Sequence, residues 1–402
     1  MHLQSEHLSL PFFDEVHRTL AKDLVAWLAT QRIDERDDRA ACRAWVKALG
    51  DAGFLRWCVP QAQGGALPAL DSRALVVIRE TLAFYSPLAD FAFAMQGLGS
   101  GAITLEGSSA QRETYLRAVG RGEKIAAFAL SEPDAGSDAG ALSTTAVRDG
   151  NHWRLNGTKT WISNGGIADY YCVFAKTDPS AGTRGMSCFI VDANTPGLDD
   201  SQHIEVMAPH PLATVLFRDC KVPASTLLGG ENGGFKLAMQ TLDIFRASVA
   251  GAALGFARRA MSEAVSHAQQ RKMFGQTLAD FQMTQAKVGE MAADIDAGAL
   301  LTYRAAWLRD DAIARGTPTR VTREAAMAKM VATENAQRVI DAALQMHGGL
   351  GVKVGSRVES LYRDIRSLRI YEGATEVQQL IIGKSVLADA AANAASSAQG
   401  AA

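Results

Sequence analysis

Cysteine is scarce in this 402-residue chain, and the five present, Cys42, Cys58, Cys172, Cys188 and Cys220, form no Cys-x-x-Cys pair and have no histidine at zinc-like spacing. That argues against a disulfide framework and a zinc site, and points to free thiols in a reducing compartment. A charge excess of either sign is missing too. With 41 basic and 43 acidic residues the net charge is -2, so there is no basic footprint for nucleic acid or an anionic membrane, and a small metabolite is the expected partner. No stretch approaches ~18 uninterrupted apolar residues, and the start, Met1 to His7, lacks the basic and apolar runs of a secretory signal. A cytoplasmic protein with no membrane association is expected.

What is present is enough apolar material, 48% of residues, for two or three domains each to bury a core. Residues 1–123 carry helical spacing, as in Leu24, Trp27, Leu28 and Trp45, Val46, Leu49, with Gly50 and Gly53 near helix ends. Between 124 and 226 the pattern changes to short β-rich runs such as Tyr170 to Phe174 and Cys188 to Val191. Asp149-Gly150 and Asn156-Gly157 sit between runs and read as tight hairpin turns. From 227 to 388 helical periodicity returns after a glycine-rich entry, Gly229 to Gly234, with no proline from Phe235 to Thr317. Pro318 suits the first turn of a further helix and Gly348 its end, a rod of ~44 Å at ~1.5 Å per residue. Residues 389–402 are Ala-, Ser- and Gly-rich and are expected to be a disordered tail. There is no solenoid-type repeat. The expected fold class is α+β: an N-terminal helical domain, a central antiparallel β-domain and a C-terminal four-helix bundle.

Three segments carry the chemistry: Ala129-Leu130-Ser131-Glu132-Pro133-Asp134-Ala135-Gly136-Ser137-Asp138, then Trp161-Ile162-Ser163-Asn164-Gly165, then Ile370-Tyr371-Glu372-Gly373-Ala374-Thr375-Glu376. The first two could hold a flat anionic cofactor, and the third puts a carboxylate beside a glycine that lets a ligand approach the backbone. Each has a plainer reading. The first is a polar strand-to-loop turn, Trp161 by itself reads as core, and Arg271-Lys272-Met273-Phe274-Gly275 reads as a solvated helix end. The glycines of Gln345-Met346-His347-Gly348-Gly349 read as a helix C-cap. His347 has no partner at metal spacing and reads as structural.

In series, the segments resemble the acyl-CoA dehydrogenase family, its medium- and short-chain-like branch, from about residue 10 to about residue 388. Ser131 to Asp138 matches that family's Ser/Thr-Glu-Pro-x-x-Gly-Ser-Asp loop throughout. The resemblance implies FAD as cofactor and no metal. It places Phe128, Leu130, Ser131, Gly136 and Ser137 along the isoalloxazine ring, with Ser137 also on the bound thioester. It packs Trp161 against the ring, with Ile162 and Ser163 beside it. Arg271, Phe274 and Gln282, and the element of Gln345, Gly348 and Gly349, reach the cofactor of a neighbouring subunit in a homotetramer, and Arg271 offers a planar fork suited to pyrophosphate. Thr375 and Glu376 belong to the same cofactor set. Asp243, Phe245, Arg246, Tyr371 and Gly373 stand on the substrate side.

Glu372 is the implied base. Taking an α-proton from a thioester needs a carboxylate in a dry pocket, where desolvation raises its pKa toward neutrality. The position that carries the base in the isovaleryl and long-chain branches is here Phe245, which cannot accept a proton. The implied reaction is α,β-dehydrogenation of an acyl-CoA or acyl-carrier thioester to the 2-enoyl thioester: the proton goes to Glu372 and a hydride leaves Cβ for flavin N5. The Glu372 N–H and the FAD ribityl 2′-hydroxyl stabilise the thioester oxygen. Electron-transferring flavoprotein is the implied acceptor. The alternative is a flavin monooxygenase or oxidase on the same fold, which has no need of Glu372. Two departures from the family pattern stand out: Met207-Ala208-Pro209-His210-Pro211-Leu212 replaces an Arg- and hydroxyl-rich strand edge, and Gly355 replaces an acidic residue. With the bulk of Phe245 and a small Ala94 on the pocket-floor helix, they favour a short, branched or cyclic acyl group.

Overall fold

A computed structural model describes Leu3, residues 6–317 and residues 320–400. The chain forms two compact units, Thr19–Phe245 and the remainder, Met1–Arg18 with Arg246–Ala402.

Thr19–Phe245 joins helices and a sheet around one apolar core. The helices are α1 (Glu15–Leu28, which begins outside this unit), α2 (Asp38–Asp51), α3 (Ser72–Tyr85), α4 (Pro87–Glu106) and α5 (Ser109–Gly120). Of these α4 is apolar nearly all round and buried along most of its length, the pattern of a core helix. Ser86 caps it by accepting from the Ala89 N–H at 3.0 Å, and Pro87 takes its first turn. The strands follow: β1 (Ala126–Ala129), β2 (Thr145–Asp149), β3 (His152–Ser163), β4 (Tyr170–Lys176), β5 (Met186–Asp192), β6 (Leu198–His203), β7 (Leu212–Pro223) and β8 (Leu227–Leu228). They lie in the order β6-β7-β3-β2-β4-β5-β8, with β1 against β4. β4 is buried at every residue, which is why its sequence is a continuous apolar run rather than an alternating one.

Two sequence expectations change here. The sheet is not wholly antiparallel, because β1 pairs with β4 in parallel and β2 meets β4 in parallel at Thr145↔Lys176. Asp149-Gly150 does turn a hairpin between β2 and β3, but Asn156-Gly157 lies inside β3, at a register shift against β7. A Cβ on Gly157 would stand 2.3 Å from Thr144 Oγ1, so this glycine answers a close approach within the sheet rather than a turn.

The other unit holds most of α6 (Gly234–Gln270), a short ribbon of β9 (Lys272–Met273) and β10 (Gln276–Thr277), and helices α7 (Gln282–Ala314), α8 (Thr322–His347), α9 (Arg357–Leu368) and α10 (Thr375–Gly400). Small residues bring α7 and α8 together, since a Cβ on Gly298 would lie 3.2 Å from Ala332 Cα. The helix expected to begin at Pro318 starts at Thr322, Pro318 itself lying outside the described residues, and it ends as expected with Gly348 at its C-cap at φ +55°. The segment read as a disordered tail instead continues α10 to Gly400, with 401 and 402 outside the described residues. Alanine has the highest intrinsic helix propensity, so an Ala-rich run propagates a helix without large side chains to bury. The five cysteines are all free and buried.

Candidate active site

In Thr19–Phe245 the candidate surface is built outward from α4. Gln96, wholly buried, accepts from the Ala126 N–H at 3.0 Å and donates to the Lys124 carbonyl at 2.7 Å. A Cβ on Gly99 would stand 2.7 Å from Ala126. Together they seat β1 on α4 and fix where the following loop begins. Phe128 is half-buried, its ring 4.9 Å from that of Phe174. Leu130 is buried and Ser131 half-buried, while Gly136 and Ser137 are exposed.

The loop is anchored by its acid. Glu132 is 4% exposed and its carboxylate takes the Lys159 Nζ at 2.8 Å, the Ser143 N–H at 2.6 Å, the Ser143 hydroxyl at 2.7 Å and the Thr144 N–H at 3.0 Å. Burial works to raise its pKa, but the Lys159 ammonium and these donors hold it down at about 2. Lys159, itself fully buried, also donates to the Leu130 carbonyl at 3.0 Å, and burial pulls its pKa down to about 8 against the pull of Glu132. The loop motif contains Glu132, but nothing in the sequence marks Lys159 as its partner.

Trp161 is not core. A second register shift falls between Lys159 and Ile162, and within it Trp161 takes φ +58° and is 59% exposed. A bulge re-aims a side chain in this way. Its neighbour Ile162 is 1% exposed, so Ile162, like Leu130, has only main chain to offer a ligand, and Ser163 is half-buried. Asn164, at φ +62°, donates to the Ala126 carbonyl at 2.8 Å and ties the end of β3 to β1. Met207 to Leu212 runs alongside, the Pro211 carbonyl accepting from the Asn164 N–H at 3.0 Å and the His210 ring lying 4.6 Å from Phe91. Asp243 is half-buried. Phe245 is 2% exposed and its ring lies over two glycines of α4, since a Cβ on Gly97 would come within 2.7 Å of Phe245 Cε1 and one on Gly101 within 3.1 Å of Cε2. Ala94 is buried on the same helix.

In the remaining unit Glu372 and Gly373 form a turn between α9 and α10, at φ +52° and +94°. The Glu372 Oε2 atom is shielded from solvent. Three side chains reach the turn's carbonyls: Lys329 Nζ donates to Gly373 O at 2.7 Å, Gln378 Nε2 to Gly373 O at 2.9 Å and Glu372 O at 3.3 Å, and Arg246 Nε to Glu372 O at 3.5 Å. Thr375 donates to Glu334, Glu376 is exposed and Tyr371 half-buried.

Arg271 follows α6, exposed, and leads into the β9–β10 ribbon, whose tip is Phe274 at φ +49°, 86% exposed, and Gly275. Gln282 opens α7 and is exposed. Gln345, Gly348 and Gly349 stand exposed at the end of α8. His347 stacks on His267 with ring centres 4.4 Å apart. Gly355, the second departure, sits at φ +91°, where an acidic residue would be strained, and donates its N–H to Glu359 at 3.2 Å.

The six non-glycine residues with positive φ among the described residues are Asn164, Asp219, Asn232, Trp161, Phe274 and Glu372. Asn and Asp tolerate this conformation, whereas in other types it costs about 1–3 kcal/mol and clusters where function requires it. Trp161, Phe274 and Glu372 are all residues singled out from the sequence.

Comparison with known proteins accounts for the pattern. Residues 11–123, 127–220 and 232–387 match the family descriptions Acyl-CoA dehydrogenase N-terminal domain, middle domain and C-terminal domain. This chain belongs to the acyl-CoA dehydrogenase family. A 3-(aryl)acrylate reductase of Clostridium sporogenes is 40% identical over 94% of this chain and 100% of its own length. The CarC subunit of a caffeyl-CoA reductase-Etf complex of Acetobacterium woodii is 38% identical over 92% and 97%. Among solved structures, an acyl-CoA dehydrogenase complexed with FAD from Bacillus anthracis superposes at a TM-score of 0.88, with 30% identity over 98% of this chain and 70% of its own.

The protein is thus an oxidoreductase of this family, and membership carries FAD as its cofactor. The residues present fit that group. Gly136 and Gly349 have no positive φ, and a Cβ on either would meet nothing in this chain within 4 Å. Neither conformation nor internal packing therefore asks for glycine there, and the bare backbone leaves room for close approach by a bound molecule. Trp161 and Phe274 add aromatic surface held out by strained backbone. Sequence reasoning missed Lys329 and Gln378. A signal for Lys329 was there, since it is the one charged residue among the buried positions of this helix, which include Ala325, Ala328, Ala332 and Ala336.

Proposed function

We propose that this protein catalyses α,β-dehydrogenation of an acyl thioester with Glu372 as the base. The observation that carries the reading is the Glu372-Gly373 turn: a carboxylate on strained backbone whose carbonyls are fixed by Lys329 and Gln378. Glu372 takes the α-proton, and its main-chain N–H stabilises the charge that gathers on the thioester oxygen. FAD, when bound, accepts the hydride that leaves Cβ. Arg246, buried beneath the turn, adds a fixed positive charge. The names of the two reductase relatives favour a second reading of the same site, reduction of a 2-enoyl thioester, in which Glu372 delivers the proton to Cα by microscopic reversibility. A monooxygenase has no use for this carboxylate.

The Phe245 ring, filling the groove that Gly97 and Gly101 leave on α4, supports a compact acyl group: short, branched or ring-bearing. Electron-transferring flavoprotein is the proposed redox partner, a reading supported by the Etf complex named for the Acetobacterium relative. The proposed assembly is a homotetramer in which Arg271, Phe274, Gln282 and the Gln345–Gly349 segment complete a neighbour's cofactor site. The exposure of Phe274, Met283, Leu380 and Leu387 supports association. The proposed location is the cytoplasm. Among the described residues no helix is long and apolar enough to cross a membrane.

Anaerobic titration of the yellow protein with butyryl, isobutyryl, cyclohexanecarbonyl, 3-phenylpropionyl, octanoyl and palmitoyl thioesters tests the reading. Bleaching of the flavin band by the compact acyl groups is expected. No bleaching by any of them, with no return of colour when the matching 2-enoyl thioesters are added to the reduced flavoprotein, overturns it, and a maximum at palmitoyl overturns the account of Phe245.

A further inference from the structure

The Glu372-Gly373 turn poses a mechanical problem, and the side chains around it answer that problem. Two consecutive residues in the left-handed region, at φ +52° and +94°, form a conformation that a free loop would leave. Glycine is favoured at 373 by its φ of +94°, and a Cβ there would also lie 2.3 Å from the Gln378 amide nitrogen and push that donor aside. The same nitrogen bonds to both carbonyls of the turn, and Lys329 Nζ makes the shortest bond of the set, 2.7 Å to Gly373 O. Lys329 and Gln378 are each wholly buried, on α8 and α10. An ammonium taken out of water is costly unless it is matched to a partner. Here the bonded partner is a neutral carbonyl one residue beyond the candidate base.

We propose that Lys329, with Gln378, is a positioning residue: by binding the carbonyls of Glu372 and Gly373 it fixes the turn and so aims the Glu372 carboxylate and N–H at the substrate. The inference rests on the reading of Glu372 as the base. The bonds to Glu372 O and to Gly373 O restrain the two peptides that follow the Glu372 Cα, and with them the direction of its Cα–Cβ bond. The ammonium also acts through space. Burial draws the Lys329 pKa down to about 8, opposed by the Glu372 carboxylate and, more weakly, by Glu334 and Glu376, and reinforced by Arg246. Interaction between two charges is mutual, so at neutral pH the Lys329 charge favours the ionised form of Glu372. The charged groups that act on Lys329 are Glu372 in the turn, Arg246 on α6, Glu334 on α8 and Glu376 on α10; Glu334 is itself held by Arg369 at 2.9 Å.

The test uses the flavin-loaded protein with an acyl thioester that reduces it, and measures the anaerobic reduction rate from about pH 5 to about pH 9 together with thioester affinity. Lys329→Met removes donor and charge in nearly the same volume. The expected result is a rate lower by about a hundredfold, since a misplaced reacting group costs that much, with affinity within about twofold. The acid limb of the profile moves to higher pH as the carboxylate loses its neighbouring charge. Gln378→Met removes only a donor, so a fall of about tenfold with an unmoved acid limb is expected. Rates within about threefold of the parent and unmoved limbs in both variants overturn the inference. So does a rate lost in proportion to thioester affinity, which is the mark of a merely structural role. Should Lys329→Met yield no flavoprotein, the Gln378→Met rate decides by the same threshold. Glu372→Gln, run beside them, separates the two levels. If it is reduced at the parental rate, the base lies elsewhere and both readings fall; if it is inert while the Lys329 and Gln378 variants are unaffected, only the positioning role falls.

Discussion

Glu132 and Glu372 are both glutamates in family-like motifs, and the protein treats them in opposite ways. At Glu132 the hydrogen bonds go to the carboxylate: Lys159, Ser143 and Thr144 saturate it and, against the opposing effect of burial, hold it as an anion well below the usual carboxylate range. Such a group cannot exchange protons near neutrality, so it serves as the post around which the loop from Leu130 to Ser143 is tied. At Glu372 it is the main-chain carbonyls of the turn that Lys329, Gln378 and Arg246 bind, so the backbone itself is put under constraint. The two glutamates thus differ in what the fold fixes: the carboxylate at Glu132, the main chain at Glu372, the residue proposed as the base.

The sharpest break between the two is Glu372→Gln. The amide is nearly isosteric but not basic, so flavin reduction by substrate should fall by several orders of magnitude while flavin content and thioester binding persist. Stopped-flow reduction under anaerobic conditions measures this, and substantial residual reduction would identify another base. Next comes Lys159→Met, which leaves the Glu132 carboxylate buried beside a methyl group. A loss of roughly 3–5 kcal/mol in denaturant unfolding is expected, partly recovered when Glu132→Gln is added; a loss below about 1 kcal/mol would show that the pair does not anchor the loop.

Acid titration should then separate the carboxylates further. Because the Glu132 pKa is lowered from 4.5 to about 2 on folding, its contribution is complete above the unfolded value and disappears as pH falls toward 2. That is on the order of 3 kcal/mol. Unfolding measured between pH 5 and pH 2 should be visibly less steep in Glu132→Gln, and parallel curves would contradict the assignment. The smallest stability effect is expected at Gly136→Ala, where a Cβ meets nothing in the chain. Stability without flavin should change by less than about 0.5 kcal/mol, yet FAD should dissociate severalfold more readily. Unchanged flavin retention by ultrafiltration would remove Gly136 from the cofactor surface.

Much of this was legible before any coordinates. The periodicity change near residue 124 and its reversal near 227 mark where helices give way to strands and return, because each period reports the geometry of a single element. The loop from Ser131 to Asp138, the Trp161 segment and the Tyr371-Glu372-Gly373 turn are local strings, readable where they stand. Local signals were also where the reading slipped. Asn156-Gly157 has the composition of a hairpin turn, but the glycine is demanded by Thr144 across the sheet. The tail beyond 388 has the composition of disorder, yet alanine extends the helix through it to Gly400.

By itself, then, the sequence determined the order of helical and β segments, the near balance of charge and scarcity of cysteine, and the identity of the one carboxylate placed beside a glycine in the last motif. Tertiary structure alone decided which charges meet. Lys159 finds Glu132 from 27 residues away, and Lys329 finds the Gly373 carbonyl from 44. A buried lysine in a helical or strand pattern carries no mark of its partner, because hydrogen bonds between side chains and distant backbone depend on how elements pack and not on the spacing within any one of them. The same holds for Trp161, whose exposure follows from a bulge that exists only once β3 is paired with β7.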